Sequence, residues 1–251
     1  MNRRDFIAST GAAVIAANTV LGQNSDVKND DTFIELKKRI ADKKTPLTWV
    51  FTGDSITHGA LHTFGWRSYV EHFAERVRFE IARMNDVVIN TGISGDMLHR
   101  LMANADRRIF RFQPDVISMN IGMNDCKNGG EGKDVFQKSL QMLFDGASKS
   151  GSILVLNTPN LIDFVKDSSR KALPDYVGII RGFALKNRVP LVDHYAYWTK
   201  EVGTGARLSM WLNDGSIHPN NYGHLVLARK MFQDMDIFDK NSITCSRLFV
   251  P

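Results

Sequence analysis

Short runs of apolar and β-branched residues alternate along the chain with longer stretches in which apolar residues recur at helical spacing. The short runs are Leu47–Thr52, Val87–Asn90, Val116–Ile121, Ile153–Leu156 and Pro190–Val192. Continuous apolar runs of this length predict strands that are buried on both faces. Their alternation with helical stretches is typical of a parallel sheet that is covered on both sides.

The polar and apolar positions between these runs predict amphipathic helices. The first is expected at Asp31–Asp42, ahead of Pro46. The others are expected at about Trp66–Arg83, Met97–Phe110, Asp134–Ser150, Pro174–Asn187 and from near Pro219 to Met235. Because crossovers between parallel strands are right-handed, these elements predict a three-layer α/β/α sandwich. No linker, repeat or low-complexity tract is evident, so one domain is expected over residues 23–251.

Residues 1–22 have the pattern of an export signal rather than of a folded segment. Arg3-Arg4-Asp5-Phe6-Ile7 resembles the twin-arginine signal of bacteria, and a weakly apolar stretch follows at 12–17. That stretch is too short and too rich in small residues for a membrane span. We therefore expect an exported, periplasmic product without a membrane span, with cleavage between Ala17 and Gln23. A cytosolic N-terminal helix is the alternative.

Composition and charge narrow the class of protein. Hydrophobic residues make up 43% of the chain, which allows a substantial core and excludes a disordered or fibrous chain. The formal net charge is +5, but basic and acidic residues are interleaved, so no nucleic-acid surface is indicated. One arginine group is interpreted as a solvated helix face, with contact to an acidic substrate as the alternative: Arg100, Arg107, Arg108 and Arg111.

The two cysteines, Cys126 and Cys245, lie far apart in the sequence. An oxidising compartment permits a disulfide between them, but sequence separation alone does not establish the geometry that a disulfide needs. Their pairing stays open. No Cys or His spacing along the chain is typical of a metal site.

Four unusual loops follow predicted strands or open the last helix. Since ligand sites in open α/β sheets lie at the carboxyl ends of the strands, we expect these loops to meet at one edge of the sheet. They are Gly53-Asp54-Ser55-Ile56, residues 91–96, Gly122-Met123-Asn124-Asp125 and residues 213–219.

Ser55 and His218 are the candidate nucleophile and base. A serine hydroxyl becomes reactive when a neighbouring base takes its proton, and an imidazole titrates near neutral pH. Pro219 fixes His218 in a loop ahead of a helix, and Asp214 lies four positions upstream. Taken singly, Ser55 fits equally a helix cap, and His218 a surface histidine.

Gly95 and Asn124 are candidates for binding an oxyanion. Ester hydrolysis develops negative charge on the carbonyl oxygen, and N–H donors aimed at that charge stabilise it. Gly95 offers a backbone N–H, and Asn124 offers a side-chain amide at the end of the third strand. Taken singly, they fit a turn glycine and an ordinary Asx turn.

The four loops in this order resemble those of the SGNH hydrolases, the GDSL-type esterase and lipase family, over essentially the whole chain after residue 22. The resemblance implies a flavodoxin-like sandwich with five parallel strands and no metal or organic cofactor. It implies that Ser55 attacks the acyl carbon, with His218 as base and then acid. The N–H groups of Ser55, Gly95 and Asn124 would form the oxyanion hole.

One position departs from the family pattern. The family usually has its acid three residues before the histidine, and that position here is Gly215. Asp214 is one residue further back. Either Asp214 reaches Nδ1 of His218, or a backbone carbonyl orients the ring and leaves a Ser–His dyad.

The expected function is that of an exported serine esterase that removes small acyl groups, with acetyl on a carbohydrate as the first hypothesis. Trp66, Trp198 and Trp211 lie in or beside loops; core packing is expected for any single one, but one or two of them could line a sugar or acyl wall. The alternatives are a lipase or thioesterase for longer acyl chains and a non-catalytic glycan-binding module. A flavin or nucleotide binder is disfavoured, because the chain has no Gly-x-Gly-x-x-Gly after the first strand and no Walker sequence.

Three further residues near these loops receive structural interpretations. Asp54 is predicted to hold its loop through backbone hydrogen bonds. Asp96 is predicted to be the N-cap of the next helix. His224 is predicted to be packed or exposed in the last helix.

Overall fold

The computed structural model describes residues 29–246, so the predicted export signal lies outside the described residues. Five parallel strands form one sheet in the order β2-β1-β3-β4-β5, which is the flavodoxin-like order. This confirms the predicted α/β/α fold with its five-stranded parallel sheet, and each strand lies within one residue of its predicted bounds. The strands are β1 (Thr48–Gly53), β2 (Val87–Asn90), β3 (Val116–Asn120), β4 (Ile153–Asn157) and β5 (Leu191–Val192).

The centre of the sheet is also the centre of the core. All of β3 is buried, and so is β1 beyond its first residue, because helices cover both of their faces. The strand order changes direction between β1 and β3, whose last residues, Gly53 and Asn120, are paired. Ligand sites in sheets of this kind lie in the crevice at such a switch point. The loops that carry Ser55 and Asn124 both leave the sheet there.

Each predicted helix is present, and α-helices at Ser55–His58, His194–Gly203 and Ile243–Ser246 are additional. The helix predicted at Trp66–Arg83 begins at Tyr69 and continues into a π-helical turn at Arg76–Glu80, and the stretch 97–110 is broken into two short helices. The α-helices are α1 (Ile34–Ala41), α2 (Ser55–His58), α3 (Tyr69–Glu75), α4 (Leu98–Met102), α5 (Ala105–Arg108), α6 (Lys133–Ser150), α7 (Leu173–Asn187), α8 (His194–Gly203), α9 (Asn221–Asp234) and α10 (Ile243–Ser246). Short 3₁₀ turns lie at Asn29–Phe33, Phe110–Phe112, Asp125–Asn128, Ser168–Arg170 and Leu208–Met210.

Helix α8 is absent from the pattern-based prediction because it follows the two-residue strand β5 directly. The side chain of Asp193 caps it by accepting a hydrogen bond from the amide of Ala196 at 3.0 Å. Trp198, in this helix, is fully buried and packs edge-on against Trp211 with 4.9 Å between ring centroids. Trp198 therefore belongs to the core, as expected for any single tryptophan, and does not line a substrate wall.

Two predictions about the segment after β2 need correction. Arg100, Arg107 and Arg111 are exposed as predicted, but Arg108 is buried and forms an ion pair with Asp96. The N-cap of α4 is Met97, while the amide of Leu98 donates to the side chain of Asp125 at 2.8 Å. Asp96 is drawn inward by the buried guanidinium and does not cap the helix.

The remaining structural predictions concern the two cysteines, membrane segments and His224. Cys126 and Cys245 are both buried and both free, so no disulfide joins them. Within residues 29–246, the helices are all too short or too polar to span a bilayer. His224 is packed in the core, where its Nδ1 accepts a hydrogen bond from the amide of Tyr69 at 3.2 Å.

Candidate active site

The end of β1 places Ser55 at the carboxyl edge of the sheet. Gly53 has φ of +153°, and a side chain there would collide with the carbonyl oxygen of Asn120 on β3, so the close approach requires glycine. Asp54 then caps α2 by accepting a hydrogen bond from the amide of Ile56 at 3.0 Å. This confirms the prediction for Asp54. It also shows that Ser55 is the first residue of α2 and not its cap.

Three side chains from two distant parts of the sequence form a continuous hydrogen-bonded chain. The Oγ of Ser55 lies 3.0 Å from Nε2 of His218. Nδ1 of the same ring lies 2.6 Å from Oδ2 of Asp214. With Asp214 accepting from Nδ1–H, Nε2 carries a lone pair that faces the Ser55 hydroxyl. In this tautomer the imidazole can take a proton from the serine.

The loop that carries Asp214 and His218 is closed at its base by an isolated bridge between Leu212 and Pro219. Inside it, Oδ1 of Asp214 accepts hydrogen bonds from the amides of Ser216 and Ile217, both at 2.8 Å. The other carboxylate oxygen is left to face the histidine. This local turn uses one oxygen for the backbone and one for the ring.

Gly215 accommodates the offset from the usual family spacing. Its φ of +68° lies in the left-handed region, which glycine adopts without strain. The turn at Gly215 brings the carboxylate of Asp214 back to the ring even though Asp214 is four residues before His218. Of the two arrangements that the sequence leaves open, the structure has the carboxylate against Nδ1.

The charge of Asp214 is favoured by its surroundings. Partial burial raises the pKa of this carboxyl, but hydrogen bonds from the Ile217 amide and from His218 outweigh that effect and hold the pKa well below its usual value. Asp214 is therefore an anion at neutral pH. An anion beside Nδ1 favours the imidazolium that forms when His218 accepts a proton.

The candidate oxyanion donors lie on the neighbouring loops. Gly95 has φ of +78°, and among residues 29–246 neither its amide nor that of Ser55 donates a hydrogen bond. The Nδ2 of Asn124 donates to the carbonyl of Asp96 at 3.0 Å, which leaves one N–H for another acceptor. These three N–H groups lie on the loops that follow β1, β2 and β3 at the carboxyl edge of the sheet.

Arg170 fixes the orientation of the Asn124 amide. One of its N–H groups donates to Oδ1 of Asn124 at 3.3 Å, and Nε donates to the carbonyl of Met123 at 3.0 Å. A guanidinium has only donors, so it can face only the oxygen of the amide. Nδ2 is thereby turned towards the side of Asp96. Arg170 is itself buried and pairs with Asp167.

A second buried arginine joins the loops after β1 and β2. Arg108 donates to the carbonyls of Gly53 at 3.2 Å and Thr91 at 2.7 Å, and its charge is matched by Asp96. The loop that carries Gly95 is thereby anchored to the segment that carries Ser55. Sequence reasoning missed this role because an arginine in a basic cluster has no signal that distinguishes a buried guanidinium from a solvated one.

Two buried carboxyls, Asp54 and Asp125, lie next to Ser55 and Asn124 in the sequence. Burial raises the pKa of Asp54 to about 7, against the effect of the hydrogen bond from Ile56. Burial likewise raises the pKa of Asp125 to about 6, although its hydrogen bond from Leu98 opposes the change.

Within the described residues, no group of three or more His, Cys, Asp or Glu side chains is arranged to hold a metal ion.

The family that matches this chain is described as the GDSL-like lipase/acylhydrolase family, and the match spans residues 51–226. The chain belongs to this family. The predicted resemblance to SGNH, or GDSL-type, hydrolases is therefore confirmed.

Relatives of known sequence and structure agree with this membership. An acetylxylan esterase of Geobacillus stearothermophilus is 26% identical over 209 residues, which cover 74% of this chain and 92% of that protein. The crystal structure of an acetylxylan esterase from the same organism matches with a TM-score of 0.64 at 24% identity, over 75% of this chain and 94% of that one. An α/β hydrolase from the metagenome of Lake Arreo, Spain, matches with a TM-score of 0.65 at 22% identity, over 76% of this chain and 95% of that one.

At these identities the structural likeness shows the shared fold. Family membership and the esterase relative together identify the enzyme as a carboxylic ester hydrolase.

Proposed function

We propose that the enzyme is a serine esterase that removes acetyl groups from a carbohydrate through an acyl-enzyme intermediate. The observation that carries the serine mechanism is the hydrogen-bonded chain from Ser55 Oγ to His218 Nε2 and from His218 Nδ1 to Asp214, with contacts of 3.0 Å and 2.6 Å. A nucleophile, a base and a residue that orients the base are the groups that acyl transfer needs.

In this mechanism the lone pair of His218 Nε2 takes the hydroxyl proton as Ser55 Oγ bonds to the acyl carbon. The carbonyl oxygen becomes an oxyanion and accepts hydrogen bonds from the amides of Ser55 and Gly95 and from Nδ2 of Asn124. The tetrahedral intermediate then breaks its bond to the alcohol oxygen, which leaves with the proton from His218. A water molecule repeats the sequence on the acyl-enzyme and releases the carboxylic acid.

The solved structures of the Geobacillus stearothermophilus acetylxylan esterase support the assignment of residue types. Three of them are described as catalytic mutants, with a serine, an aspartate or a histidine replaced by alanine. The aspartate and the histidine are three positions apart in that enzyme, whereas Asp214 and His218 are four apart here. The left-handed turn at Gly215 supports an equivalent use of Asp214 despite the extra residue.

The carbohydrate part of the proposal rests on the esterase relative and on the rim of the site. The loop between α2 and α3 contacts His218 and carries exposed apolar side chains, among them Trp66, with 39% of its surface accessible, and Phe64. Exposed aromatic faces beside a polar cleft suit a sugar ring, which has one apolar face and hydroxyl groups at its edge. Of the three tryptophans considered for a substrate wall, Trp66 is the exposed one.

The test compares the wild-type enzyme with Ser55→Ala and with Ser148→Ala, an exposed serine of α6 that serves as control. The substrates are p-nitrophenyl acetate, p-nitrophenyl palmitate and acetylated xylo-oligosaccharides. We expect acetate and acetyl-oligosaccharide hydrolysis by the wild type and Ser148→Ala, and a loss of at least about 10³-fold in Ser55→Ala. Retained activity in Ser55→Ala would refute the serine mechanism. A preference for palmitate would refute the acetyl substrate and favour a lipase or thioesterase.

We also propose that residues 1–22 direct export to the periplasm. The support is the pattern Arg3-Arg4-Asp5-Phe6-Ile7 followed by a short, weakly apolar stretch. Fractionation of bacteria that produce the full chain should place a shortened product in the periplasm. Replacement of Arg3 and Arg4 by lysine should leave the full-length chain in the cytoplasm.

A further inference from the structure

A histidine with no part in the proposed chemistry lies flat on the ring of His218. The rings of His62 and His218 are stacked, with 3.5 Å between centroids and 2° between planes. This is van der Waals contact over a whole ring face. His62 comes from the loop between α2 and α3, more than 150 residues before His218 in the sequence. One face of the proposed base is thus covered by another imidazole.

One asparagine ties both rings together. The amide of Asn213 donates to the carbonyl of His218 at 2.9 Å, and its side-chain Nδ2 donates to the carbonyl of His62. The backbone segments that carry the two rings are therefore held by adjacent groups of one residue. The stack is built into both loops and is more than a chance contact of two side chains.

The backbone around His62 is held in an unusual conformation. Its neighbour Leu61 has φ of +66°, and Phe64 has φ of +51°, in the left-handed region that residues with side chains rarely adopt. Strained backbone of this kind persists where the surrounding structure fixes it, and it concentrates at functional sites. Here the strained loop places His62 against the proposed base.

The surroundings of His62 favour its neutral form. The titratable groups that face it are His218, Asp214 and His58. Partial burial lowers the pKa of His62, and the two histidines add to this effect, while Asp214 opposes it. When His218 takes up a proton, a second positive charge on the stacked ring would repel it. His62 is therefore neutral when His218 is an imidazolium.

We propose that His62 is a positioning residue for the proposed base: its neutral ring keeps the His218 imidazole in the plane that joins Ser55 to Asp214, and its π face stabilises the imidazolium formed during the reaction. The proposal rests on the proposed function, in which His218 carries the proton. Cations over aromatic faces gain energy from the ring quadrupole. A flat ring at 3.5 Å also prevents rotation of the imidazole out of that plane.

Three substitutions separate the parts of this role. His62→Phe keeps a flat ring that does not titrate, His62→Ala removes the ring, and His62→Arg replaces it with a planar group that is always charged. His99→Ala, in which an exposed histidine of α4 is removed, is the control. The thermal midpoint of each variant is measured alongside kcat and KM.

We expect His62→Ala to lower kcat about 10-fold with KM changed less than about 2-fold, and His62→Phe to stay within about 3-fold of the wild type. In His62→Arg the fixed positive charge disfavours protonation of His218. The acidic limb of the kcat/KM profile should then move to lower pH by roughly one unit, with a fall in kcat. His99→Ala should match the wild type in all measurements.

A purely structural role for His62 predicts a different pattern. The thermal midpoint would then fall with activity in His62→Ala and in His62→Phe, and the loss in kcat would disappear once stability is taken into account. An unchanged kcat in a folded His62→Ala enzyme, or an unmoved acidic limb in His62→Arg, would overturn the proposal.

A measurement without turnover separates this proposal from the proposed function. The titration of the His218 ring, followed by NMR in the resting enzyme, should shift to lower pH in His62→Arg and stay near the wild-type value in His62→Phe. If that shift is seen but Ser55→Ala remains active, the serine mechanism fails and the stack is retained. If Ser55→Ala is inactive but neither the titration nor kcat responds to His62, the stack has no role in catalysis.

Discussion

The two halves of the candidate site are built in different ways. The nucleophile half, with Ser55 and Asn124, lies at the buried ends of the central strands and is fixed by two buried arginines. The base half is the loop from Asp214 to His218, which has no helix or strand of its own and is partly exposed. One half is held by the core of the protein, and the other by a local turn that receives hydrogen bonds from the loop after β4.

The surroundings shift the carboxyl pKa values of the two halves in opposite directions. Burial raises the pKa of Asp54 to about 7 and that of Asp125 to about 6, so protonation of these groups is favoured. The pKa of Asp214 is instead held well below its usual value by N–H donors. The difference follows from water access and from the number of donors that each carboxylate receives.

This contrast matches what the proposed reaction asks of each half. Oxyanion stabilisation depends on dipoles that already point to the place where charge develops, and their reorientation would cost energy at the moment of reaction. Attachment to the buried sheet meets that need. A proton shuttle requires one tautomer and one ring plane, which a local turn and a stacked ring can provide.

The largest effect should come from the acid of the base half. In Asp214→Asn the remaining oxygen can still accept the turn amides, but the new NH₂ group then faces Nδ1 and favours the proton on Nε2. His218 could then no longer accept a proton from Ser55. By analogy with this change in other Ser–His–Asp sites, kcat should fall by up to about 10⁴-fold.

The control for this variant is Asp145→Asn, which changes an exposed carboxylate of α6. Rates on p-nitrophenyl acetate and thermal midpoints are measured for both. A loss below about 10-fold in Asp214→Asn would mean that the carboxylate does not set the tautomer. The site would then work as a Ser–His dyad, and the base half would need no acid.

The next effect tests the nucleophile half. Asn124→Ala removes the proposed side-chain donor to the oxyanion, and the loss in kcat should be about 10² to 10³-fold with little change in KM. Asn128→Ala, four residues further along and exposed, should leave both parameters unchanged. Equal activity in the two variants would remove Asn124 from the oxyanion hole.

The third effect is on stability and uses the buried carboxyl of this half. The pKa of Asp54 is raised above the value of an unfolded aspartate, so the folded state holds a proton that the unfolded state releases. The stability that this group contributes is present below about pH 4 and is lost as pH rises towards about 7. Asp54→Asn should remove this loss while it keeps the oxygen that accepts from Ile56.

Urea unfolding of both proteins at pH 5 and pH 7 measures the difference. The variant should gain about 2 kcal/mol relative to the wild type between the two pH values. Buried histidines such as His224, whose pKa is lowered to about 3, give an opposite dependence that is common to both proteins and cancels in the comparison. A constant difference would mean that Asp54 does not titrate in this range.

The parts of the molecule that follow local rules could be predicted from the sequence. Buried strands appear as apolar runs, and the loops at their carboxyl ends fall together because the strands are parallel. These rules predict the sheet. They also predict that the loops with Ser55, Gly95, Asn124 and His218 meet at one of its edges.

The contacts that support the site depend on tertiary packing and have no local pattern. Arg108 lies in a basic cluster that resembles a solvated face, and its buried partners come from two other loops. Arg170 lies in a short 3₁₀ turn between β4 and α7, and no sequence motif surrounds it. His62 lies in an irregular loop. Only the folded chain brings His62 onto the ring of His218.

The smallest effect tests whether the nucleophile half needs its buried arginine as an orienting group or only as a charge. Arg170→Lys keeps the charge near Asp167, but a single ammonium cannot donate to Met123 and to Asn124 in the fork that the guanidinium provides. Without that donor the Asn124 amide can rotate, so kcat should fall about 10-fold with KM nearly unchanged.

The matched control is Arg181→Lys, because Arg181 also pairs with an aspartate, Asp193, but lies on α7 outside the loops of the site. It should leave kcat unchanged. The double variant Arg170→Lys/Asn124→Ala decides how Arg170 acts. If Arg170 acts through the amide, its substitution costs no further activity once Asn124 is removed. A second full loss of about 10-fold would mean that Arg170 acts independently of the Asn124 amide, for example through its hydrogen bond to the carbonyl of Met123.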